Sequence, residues 1–245
     1  MRAVITAGGL VDGPFAEAIG TTVKALAPFG GRTLLDVTLD AVSGAGIDGV
    51  AVVGGREVRA HLGARDVRVI DADRDGATNV LRALTAWPAE RLVYLTSDMP
   101  FVTAAGLRDF IARSAEYAVT MALADVDAYE RRFPDAPAHS VTLGGERVAN
   151  GNAFVLAPWA AGTVQTMATK FFDARKNLPK LALLLGPVMC LRFLTRRLTI
   201  ADLEDYGRRR LGFAVSALRG CDPGLCYDVD ELADYEYALA HAAAP

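Results

Sequence analysis

The sequence predicts an α/β fold, a three-layer α/β/α sandwich in which helices cover both faces of a mixed, mostly parallel sheet. Short continuous apolar runs, typical of strands buried on both faces, recur through the first two-thirds of the chain. Between them lie segments whose apolar residues recur at helical spacing. Strand and helix alternating in this way favour parallel strands joined by crossover helices.

Five apolar runs predict the strands. The first, AVITAGG, is stopped by paired glycines, and the fourth, RLVYLTSD, is stopped by polar residues and then by Met99-Pro100. A hairpin is predicted further along, with its turn at Gly144-Gly145. The five predicted strands span residues 3–9, 49–55, 67–73, 91–98 and 118–125.

Helical spacing predicts the intervening helices. Residues 33–45 carry apolar side chains at positions that share one helix face, and Gly46 follows as a stop signal. A second helix is predicted over 77–86, ending near Pro88. Thr103 is a good N-cap residue for a third, whose inner face would carry Leu107, Phe110 and Ile111.

The alternation stops in the last third of the chain, where we expect a mostly helical insertion at about 158–210 within a single domain of 1–245. The segment 178–194 reads LPKLALLLGPVMCLRFL. It is shorter than the roughly 20 apolar residues of a membrane span and is interrupted by Lys180 and Arg192. We expect a buried or interfacial helix pair, which packs in the core, forms a homodimer contact, or makes a peripheral membrane contact through 178–195.

Composition narrows the functional classes. The 245 residues are 52% hydrophobic and 22% charged, a globular profile, and the net charge of −3 argues against binding nucleic acid through bulk charge. Cys190, Cys221 and Cys226, with three histidines in the chain, supply neither a disulfide framework nor a zinc spacing. We therefore expect a reducing, cytoplasmic location, with no signal peptide before the first strand.

Glycines after the first predicted strand form one candidate site. Ligands of open parallel sheets bind outside the carboxyl ends of the strands, where Gly8 and Gly9 lie. Lys24 follows a loop that contains Gly13 and Gly20. Such a loop can cradle phosphate, and the lysine supplies charge, although neither a P-loop nor a dinucleotide fingerprint is present. A plain tight turn is the alternative.

Three carboxylates form a second candidate site. Asp98 follows the fourth predicted strand, and Asp228 and Asp230 stand two apart before a predicted helix. In extended backbone that spacing puts both carboxylates on one side. Oxygen ligands of this kind suit Mg²⁺ together with substrate phosphates. Turn or helix-capping aspartates are the alternative.

Two further polar segments are candidates for substrate contacts. Gly76 and Asn79 open the helix after the third predicted strand, where free amides could hold a phosphate and Asn79 could read a base edge. An ordinary helix cap is the alternative. Asn150-Gly151-Asn152 precedes the run AFVL and is interpreted as a turn by default, or as a substrate contact.

Six segments occur in an order that resembles one family. They are ITAGG, KALAPFGGRTLLD, DGATNVLRAL, LTSDMPFV, NGNAFVL and DVDELADYE, within residues 1 to about 157 and 215–240. The chain resembles the MobA-like NTP transferases, that is, the molybdenum-cofactor guanylyl- and cytidylyltransferases, which are related to sugar-phosphate nucleotidylyltransferases with a GT-A-like fold. The resemblance implies transfer of NMP from an NTP, with GTP or CTP favoured, to a phosphorylated acceptor, with Mg²⁺ as cofactor and pyrophosphate released. Molybdopterin is the default acceptor.

The resemblance also implies a role for each matching residue. Lys24 and Asp98 would be the catalytic pair, with Lys24 neutralising phosphate charge. The implied nucleotide-binding residues are Ala7, Gly8, Gly9, Lys24, Gly76 and Asn79. The implied metal ligands are Asp98 and Asp230, with Asp228 as the less favoured second carboxylate.

Three departures from the family pattern leave alternatives open. No arginine lies between Leu10 and Val23, in a loop longer than the family's, and Glu231-Leu232 replaces the Thr-Pro that usually follows the closing acid. The insertion is the third departure. The predicted acceptor-binding residues are Asn152 and three basic residues of the insertion, Lys170, Arg175 and Lys176. A sugar-, alditol- or lipid-precursor-phosphate acceptor is the alternative within the class, and a catalytically lapsed nucleotide-binding or regulatory protein is the alternative outside it.

Overall fold

Within the described residues, the sheet has eight strands, and all but one of them run in the same direction. In the computed structural model, which describes residues 1–137, 140–174, 177, 184 and 186–242 (the side chains of 171–173 excepted), the strand order is β10-β7-β9-β6-β1-β4-β5, with β8 paired to β9. Strand β9 runs antiparallel to its neighbours β6, β7 and β8, whereas the other pairs are parallel. The sheet strands are β1 (Arg2–Thr6), β4 (Val50–Gly54), β5 (Arg68–Asp71), β6 (Leu92–Thr96), β7 (Val119–Asp125), β8 (Ser140–Leu143), β9 (Glu146–Leu156) and β10 (Val215–Leu218); β2 (Pro28–Phe29) and β3 (Arg32–Thr33) form a separate hairpin.

Helices cover both faces of the sheet, so the predicted three-layer fold is confirmed. Alternate residues of β1 face opposite layers: Ile5 packs in a core that includes Leu34 and Phe110, while Val4 packs with Ala83 on the other face. The helices are α1 (Gly13–Ile19), α2 (Leu34–Gly44), α3 (Arg56–Leu62), α4 (Gly76–Leu84), α5 (Ala104–Arg113), α6 (Val126–Arg132), α7 (Ala161–Ala174), α8 (Pro187–Leu194), α9 (Ile200–Leu211) and α10 (Leu232–Ala240).

The five predicted strands and three predicted helices are present, with ends shifted by a few residues. The Thr103 side chain accepts a hydrogen bond from the Gly106 amide, as its predicted N-cap role requires. The predicted hairpin is formed by β8 and β9, and Gly144 and Gly145 adopt φ values of 57° and 89° that few other residues tolerate.

One predicted loop is wrong. The segment with Gly13 and Gly20, expected to be a glycine-containing loop, holds the helix α1, which begins at Gly13 with Pro14 in its first turn. Gly20 is the C-cap, at φ 70°, because the left-handed conformation closes a helix. The length of the segment before Lys24 is therefore taken up by a packed helix, with Phe15 and Ile19 in the core.

The described part of the segment 158–210 is mainly helical. It contains a 3-10 turn at Pro158–Ala160 and helices α7, α8 and α9. Of the two expectations for this segment, a buried or an interfacial helix pair, the buried one is wrong for α8, where Met189 is buried but Val188, Leu191 and Leu194 are 62–77% exposed. No helix in the described ranges is both long and apolar enough to cross a membrane.

Candidate active site

A cavity of about 370 Å³ lies at the carboxyl ends of β1 and β6. Its wall includes segments that follow β1, β5 and β6, because parallel strands end at the same edge of the sheet. The structure brings six sequence-predicted residues together here: Gly8, Gly9, Lys24, Gly76, Asn79 and Asp98. Ala7 is buried in the core and does not line this cavity.

Gly8 lets the first loop pack against α4. A Cβ added at Gly8 would lie 2.8 Å from the Asn79 side-chain nitrogen and 2.9 Å from the Ala72 Cβ. Both distances are shorter than real Cβ contacts, so a side chain at this position would displace its neighbours. At Gly9 the nearest atom to such a Cβ is Lys24 Cε at 3.6 Å, an ordinary contact.

Asn79 shapes the loop that precedes α4. Its Oδ1 accepts a hydrogen bond from the Asp73 amide at 2.6 Å, and its Nδ2 donates to the Asp73 carbonyl at 3.0 Å. The side chain is buried, and both ends of its amide are used by the backbone. Asn79 therefore positions the 73–75 loop at the cavity. The helix itself is capped by Asp75, which accepts a hydrogen bond from the Thr78 amide at 2.9 Å.

Lys24 lies between two carboxylates. Its Nζ is 2.5 Å from Asp98 Oδ2 and 2.9 Å from Asp230 Oδ1. Burial disfavours the charged ammonium, but attraction and hydrogen bonding from Asp98 and then from Asp230 outweigh it, so the pKa of Lys24 is raised above its ordinary value. The lysine is therefore a permanent cation at physiological pH.

The three predicted carboxylates form one cluster. Asp98, Asp228 and Asp230 each offer an oxygen, and these atoms all lie within 4.8 Å of one another. The Val229 amide donates to the Asp98 carbonyl at 3.0 Å, which ties the segment before α10 to the end of β6. Asp98 Oδ1 is buried and has no hydrogen-bond partner among the described residues. Because a buried carboxylate oxygen without a partner is costly, the cluster fits a divalent cation.

The helix that follows the cluster is capped by other acids. Glu231 and Asp234 form a capping box at the start of α10, and Asp234 Oδ2 accepts the amides of Asp230 and Glu231 at 3.0 and 2.7 Å. The capping role offered as the alternative for Asp228 and Asp230 is therefore filled by Glu231 and Asp234.

Several residues that line the cavity were not predicted from the sequence. Arg74, in the loop held by Asn79, is exposed and makes no ion pair with any residue that the structure describes. Thr6 and Tyr94 form a hydrogen bond of 3.0 Å across neighbouring strands, and burial raises the pKa of Tyr94. Thr96 Oγ1 is buried without a hydrogen-bond partner in the described part of the chain. The one signal in the sequence applies to Thr6 and Thr96, which are the last residues of β1 and β6.

The predicted acceptor-binding residues are not gathered in this cavity. Asn150-Gly151-Asn152 lies inside β9, so the default interpretation as a turn is wrong. A Cβ at Gly151 would come within 2.3 Å of the Ala122 carbonyl oxygen, at the point where the β7–β9 register shifts. Lys170 is exposed on α7 and lies outside the cavity wall, and Arg175 and Lys176 fall outside the described residues.

The cysteines carry no sign of nucleophilic chemistry. Cys221 and Cys226 are buried as free thiols, and burial raises the pKa of both. Cys190 is a half-buried thiol on α8. The chemistry of the cavity therefore rests on Lys24 and the carboxylates.

Most of the chain matches the model of one protein family. The model of the MobA-like NTP transferase domain matches residues 3–211. A hypothetical transferase from Thermus thermophilus superposes with a TM-score of 0.80 at 29% identity, over 96% of this chain and 99% of that one. No curated protein sequence matches.

More distant structures share the fold. A 4-diphosphocytidyl-2C-methyl-D-erythritol synthase from Anaerococcus prevotii has a TM-score of 0.55 at 15% identity, over 98% of this chain and 96% of that one. A Mycobacterium tuberculosis protein, Rv0371c, described in complex with manganese, has a TM-score of 0.53 at 18% identity, over 98% of both chains. At these identities the likeness is one of fold alone.

Proposed function

Since the chain belongs to the MobA-like NTP transferase family and is a nucleotidyltransferase, we propose that it transfers NMP from an NTP to a phosphorylated acceptor and releases pyrophosphate, with Mg²⁺ as cofactor. The contact of Lys24 with both Asp98 and Asp230 is the observation that carries this proposal. It supports the proposal because it brings a cation together with the proposed carboxylate ligands of a divalent metal, beside a cavity lined by glycines. GTP and CTP are the favoured donors.

Phosphoryl chemistry of this type depends on position and charge. An acceptor phosphate oxygen attacks the α-phosphorus, the new P–O bond forms, and the bond to the β-phosphate oxygen breaks as pyrophosphate leaves in line. The attacking phosphate oxygen is already ionised, so no protein base is needed, and the leaving oxygen takes the electron pair of the broken P–O bond as pyrophosphate departs. The residues must bind the triphosphate, align it and offset its charge.

Lys24 is suited to offset that charge. An ammonium has three donors, and two of them are used by Asp98 and Asp230. The third remains for a phosphate oxygen. Because its neighbours hold Lys24 charged and in place, the cation is pre-organised.

Asp98 and Asp230 are the proposed metal ligands, with Asp228 beside them. A divalent ion bound there would neutralise phosphate charge and polarise the α-phosphate. Asp98 supplies its unpartnered Oδ1, while its Oδ2 holds Lys24. The carboxylate thus positions the lysine and the ion side by side.

Arg74 is the proposed substitute for the arginine that the loop between Leu10 and Val23 lacks. It belongs to the 73–75 loop and lines the same cavity as Gly8 and Gly9. A guanidinium donates in a planar fork that matches phosphate oxygens. With Arg74 in that role, the lack of an arginine in the loop no longer supports the alternative of a catalytically lapsed nucleotide-binding or regulatory protein.

The chemical identity of the acceptor is the more specific part of the proposal. Molybdopterin is the default from the family resemblance, and a sugar-, alditol- or lipid-precursor phosphate is the alternative. Asn152 remains a proposed acceptor contact, since it lies beside Thr96 by the register of β6 and β9, where Ala153 pairs with Leu95. Lys170, Arg175 and Lys176 remain proposed contacts without structural support.

The deciding experiment is a thermal-shift panel of the four NTPs, each with and without Mg²⁺, on the wild type and on Asp98→Asn. A ligand at 100 times its Kd stabilises a fold by about 2.7 kcal/mol. A Mg²⁺-dependent shift from one nucleotide, weakened in Asp98→Asn, supports the proposal and names the donor. A pyrophosphate-release assay with that donor then separates an enzyme from a binding protein. No shift from any NTP counts against the proposal.

The exposed face of α8 is a proposed contact surface. Its apolar stripe of Val188, Leu191 and Leu194 is followed by exposed Arg196 and Arg197. We propose a peripheral contact with an anionic membrane, because apolar insertion and basic charge act together there. Co-sedimentation with vesicles rich in phosphatidylserine should be lost in Leu191→Asp, whereas a monomer-to-dimer change on a sizing column would point to a homodimer contact.

A further inference from the structure

A second cavity, of about 320 Å³, opens between helix α9 and the sheet face of β7, β9 and β10. We call it the groove. Its wall is almost entirely apolar, with Met121 and Phe154 on the strands and Leu203 on the helix. The volume lies within the range of about 300–1,000 Å³ that ligand pockets occupy.

The groove shares a wall with the nucleotide cavity. Tyr94 lines the nucleotide cavity and Phe154 lines the groove, and their rings meet edge-on with centroids 5.8 Å apart. Both side chains lie on the same sheet face, since Tyr94 and Phe154 are paired in the β6–β9 ladder. A molecule in the groove would therefore be separated from a nucleotide in the other cavity by the Tyr94–Phe154 pair.

The groove also reaches the catalytic edge of the sheet. Strands β6 and β7 both run antiparallel to β9, so they point in the same direction and their carboxyl ends share one edge. Leu123, near the end of β7, lines the groove and pairs with Asn150, which also lines it. The polar end of the groove is thus at the edge where Asp98 follows β6.

The wall offers little to a polar ligand. Glu204 already accepts the Ala217 amide at 2.8 Å and the Ser216 hydroxyl at 3.2 Å. Asn150 is exposed at the catalytic end and supplies an amide there. The hydroxyl groups of a sugar would exchange water for apolar side chains along the rest of the groove, which is unfavourable, whereas a hydrocarbon would gain from the same transfer.

We propose that the acceptor is the phosphate monoester of an apolar alcohol, with its hydrocarbon part in the groove and its phosphate directed past Asn150 toward Asp98. This inference rests on the proposed function, which requires a phosphorylated acceptor at that edge. It favours the lipid-precursor class over molybdopterin and over sugar or alditol phosphates.

The test is calorimetric titration with butyl, hexyl and octyl phosphate, each below its micelle concentration, with glycerol phosphate as the polar control. Titrations are made without nucleotide and with the Mg²⁺–nucleotide pair that shifts the melting temperature most. The groove variant is Leu203→Arg, at a position 37% exposed, so that the fold should survive. The matched control is Leu239→Arg on α10, at 44% exposure and outside the groove. Val141→Arg, on the edge strand β8 and 40% exposed, is a second groove variant.

We expect the Kd to fall by roughly fourfold for each added methylene in the wild type and in Leu239→Arg. This gain in affinity with chain length should disappear in Leu203→Arg and Val141→Arg. A Kd independent of chain length, or a gain that survives equally in both groove variants, would overturn the inference.

The two proposals fail in different ways. If a Mg²⁺–nucleotide shift is present and the chain-length dependence is absent, the groove inference alone fails. If the chain-length dependence is present but no nucleotide binds, the groove still binds hydrocarbon, while the acceptor assignment falls with the proposed function.

Discussion

The Lys24 ammonium lies 2.5 Å from Asp98 Oδ2, and the two side chains are held there by different parts of the fold. Lys24 starts a 3-10 turn whose backbone is bonded to Gly9, and Asp98 follows the central strand β6. Both side chains are largely buried. The pair therefore fixes the distance between the glycine turn and the carboxylate cluster, which is the space a triphosphate would occupy.

Asp98→Asn should lower kcat by on the order of 10²–10³-fold, because the amide is a poor metal ligand and no longer neutralises Lys24. Turnover is measured as pyrophosphate release at saturating Mg²⁺. The melting temperature serves as the folding control, since the variant keeps the size of the side chain. Turnover within twofold of the wild type would exclude Asp98 from the chemistry.

Lys24→Gln should separate metal binding from turnover. Removing the cation leaves Asp98 and Asp230 without their partner, so Mn²⁺ binding without nucleotide should tighten by about tenfold, or ~1.4 kcal/mol. Turnover should fall, because the phosphate loses its donor. Electron paramagnetic resonance of free Mn²⁺ measures the first effect.

The control for this prediction is Arg56→Gln, which removes a cation that is 92% exposed and lies outside the cavity. It should change neither quantity. Weaker Mn²⁺ binding in Lys24→Gln would mean that the lysine organises the carboxylates instead of competing with the ion.

Arg74→Gln should raise the nucleotide Kd by roughly 10- to 100-fold, the usual effect of losing a charged hydrogen bond of about 1.5–3 kcal/mol. Calorimetric titration with the NTP and Mg²⁺ measures it. Arg56→Gln is the control, because Arg56 is 92% exposed and outside the cavity. Equal nucleotide affinities for Arg74→Gln and Arg56→Gln would show that Arg74 does not replace the missing loop arginine.

Two adjacent glycines should respond differently to alanine. Gly8→Ala puts a Cβ against Asn79 and Ala72, so it should displace the 73–75 loop, destabilise the fold by about 1–3 kcal/mol and weaken nucleotide binding. Gly9→Ala meets only Lys24 Cε at 3.6 Å and should be tolerated. Urea denaturation and nucleotide titration of both variants check this. Equal effects would argue against close packing as the reason for glycine at position 8.

The sheet could be predicted from the sequence because its central strands are continuous apolar runs, and a strand such as β1 needs no information from elsewhere in the chain. Short helices were missed where the pattern is brief. Helix α3 has seven residues and buries only Val58 and Leu62. The sequence predicts a loop in place of helix α1, because the helix lies between Gly13-Pro14 and Gly20, which are turn signals as well as helix boundaries.

Only part of the site could be predicted from the sequence, because some of its contacts join residues that are far apart in the chain. Strand ends locate Gly8 and Asp98 without knowledge of the fold. The contact between Lys24 and Asp230 joins residues 206 positions apart, which no local pattern encodes. Arg74 lines the cavity in a loop that Asn79 holds through hydrogen bonds to the Asp73 backbone, which hydrophobic periodicity does not reveal. The groove is likewise invisible in the sequence, since it forms between α9 and strands from three separate segments.

Asp36 offers a prediction about pH and stability away from the site. Burial opposes ionisation, but the Thr33 amide, Arg65, His61 and the Thr33 hydroxyl together hold the pKa of this carboxyl well below its usual range. Its Oδ1 lies 2.5 Å from Arg65 and 3.0 Å from His61, and its Oδ2 accepts the Thr33 amide at 3.0 Å. The ionised carboxylate therefore links the start of α2 to the end of α3 and to the segment after it.

A lowered folded-state pKa means that ionised Asp36 stabilises the protein above the unfolded value of about 3.9, and that this stability is lost as the pH falls through the folded value. Asp36→Asn should cost about 1–3 kcal/mol at pH 7, and the difference from the wild type should shrink between pH 5 and pH 2. Urea titrations across that range measure it. Asp40→Asn, which removes an exposed partner of Arg32, should cost less than about 0.5 kcal/mol at every pH. A difference for Asp36→Asn that does not change with pH would show that the carboxylate acts there through packing and not through its charge.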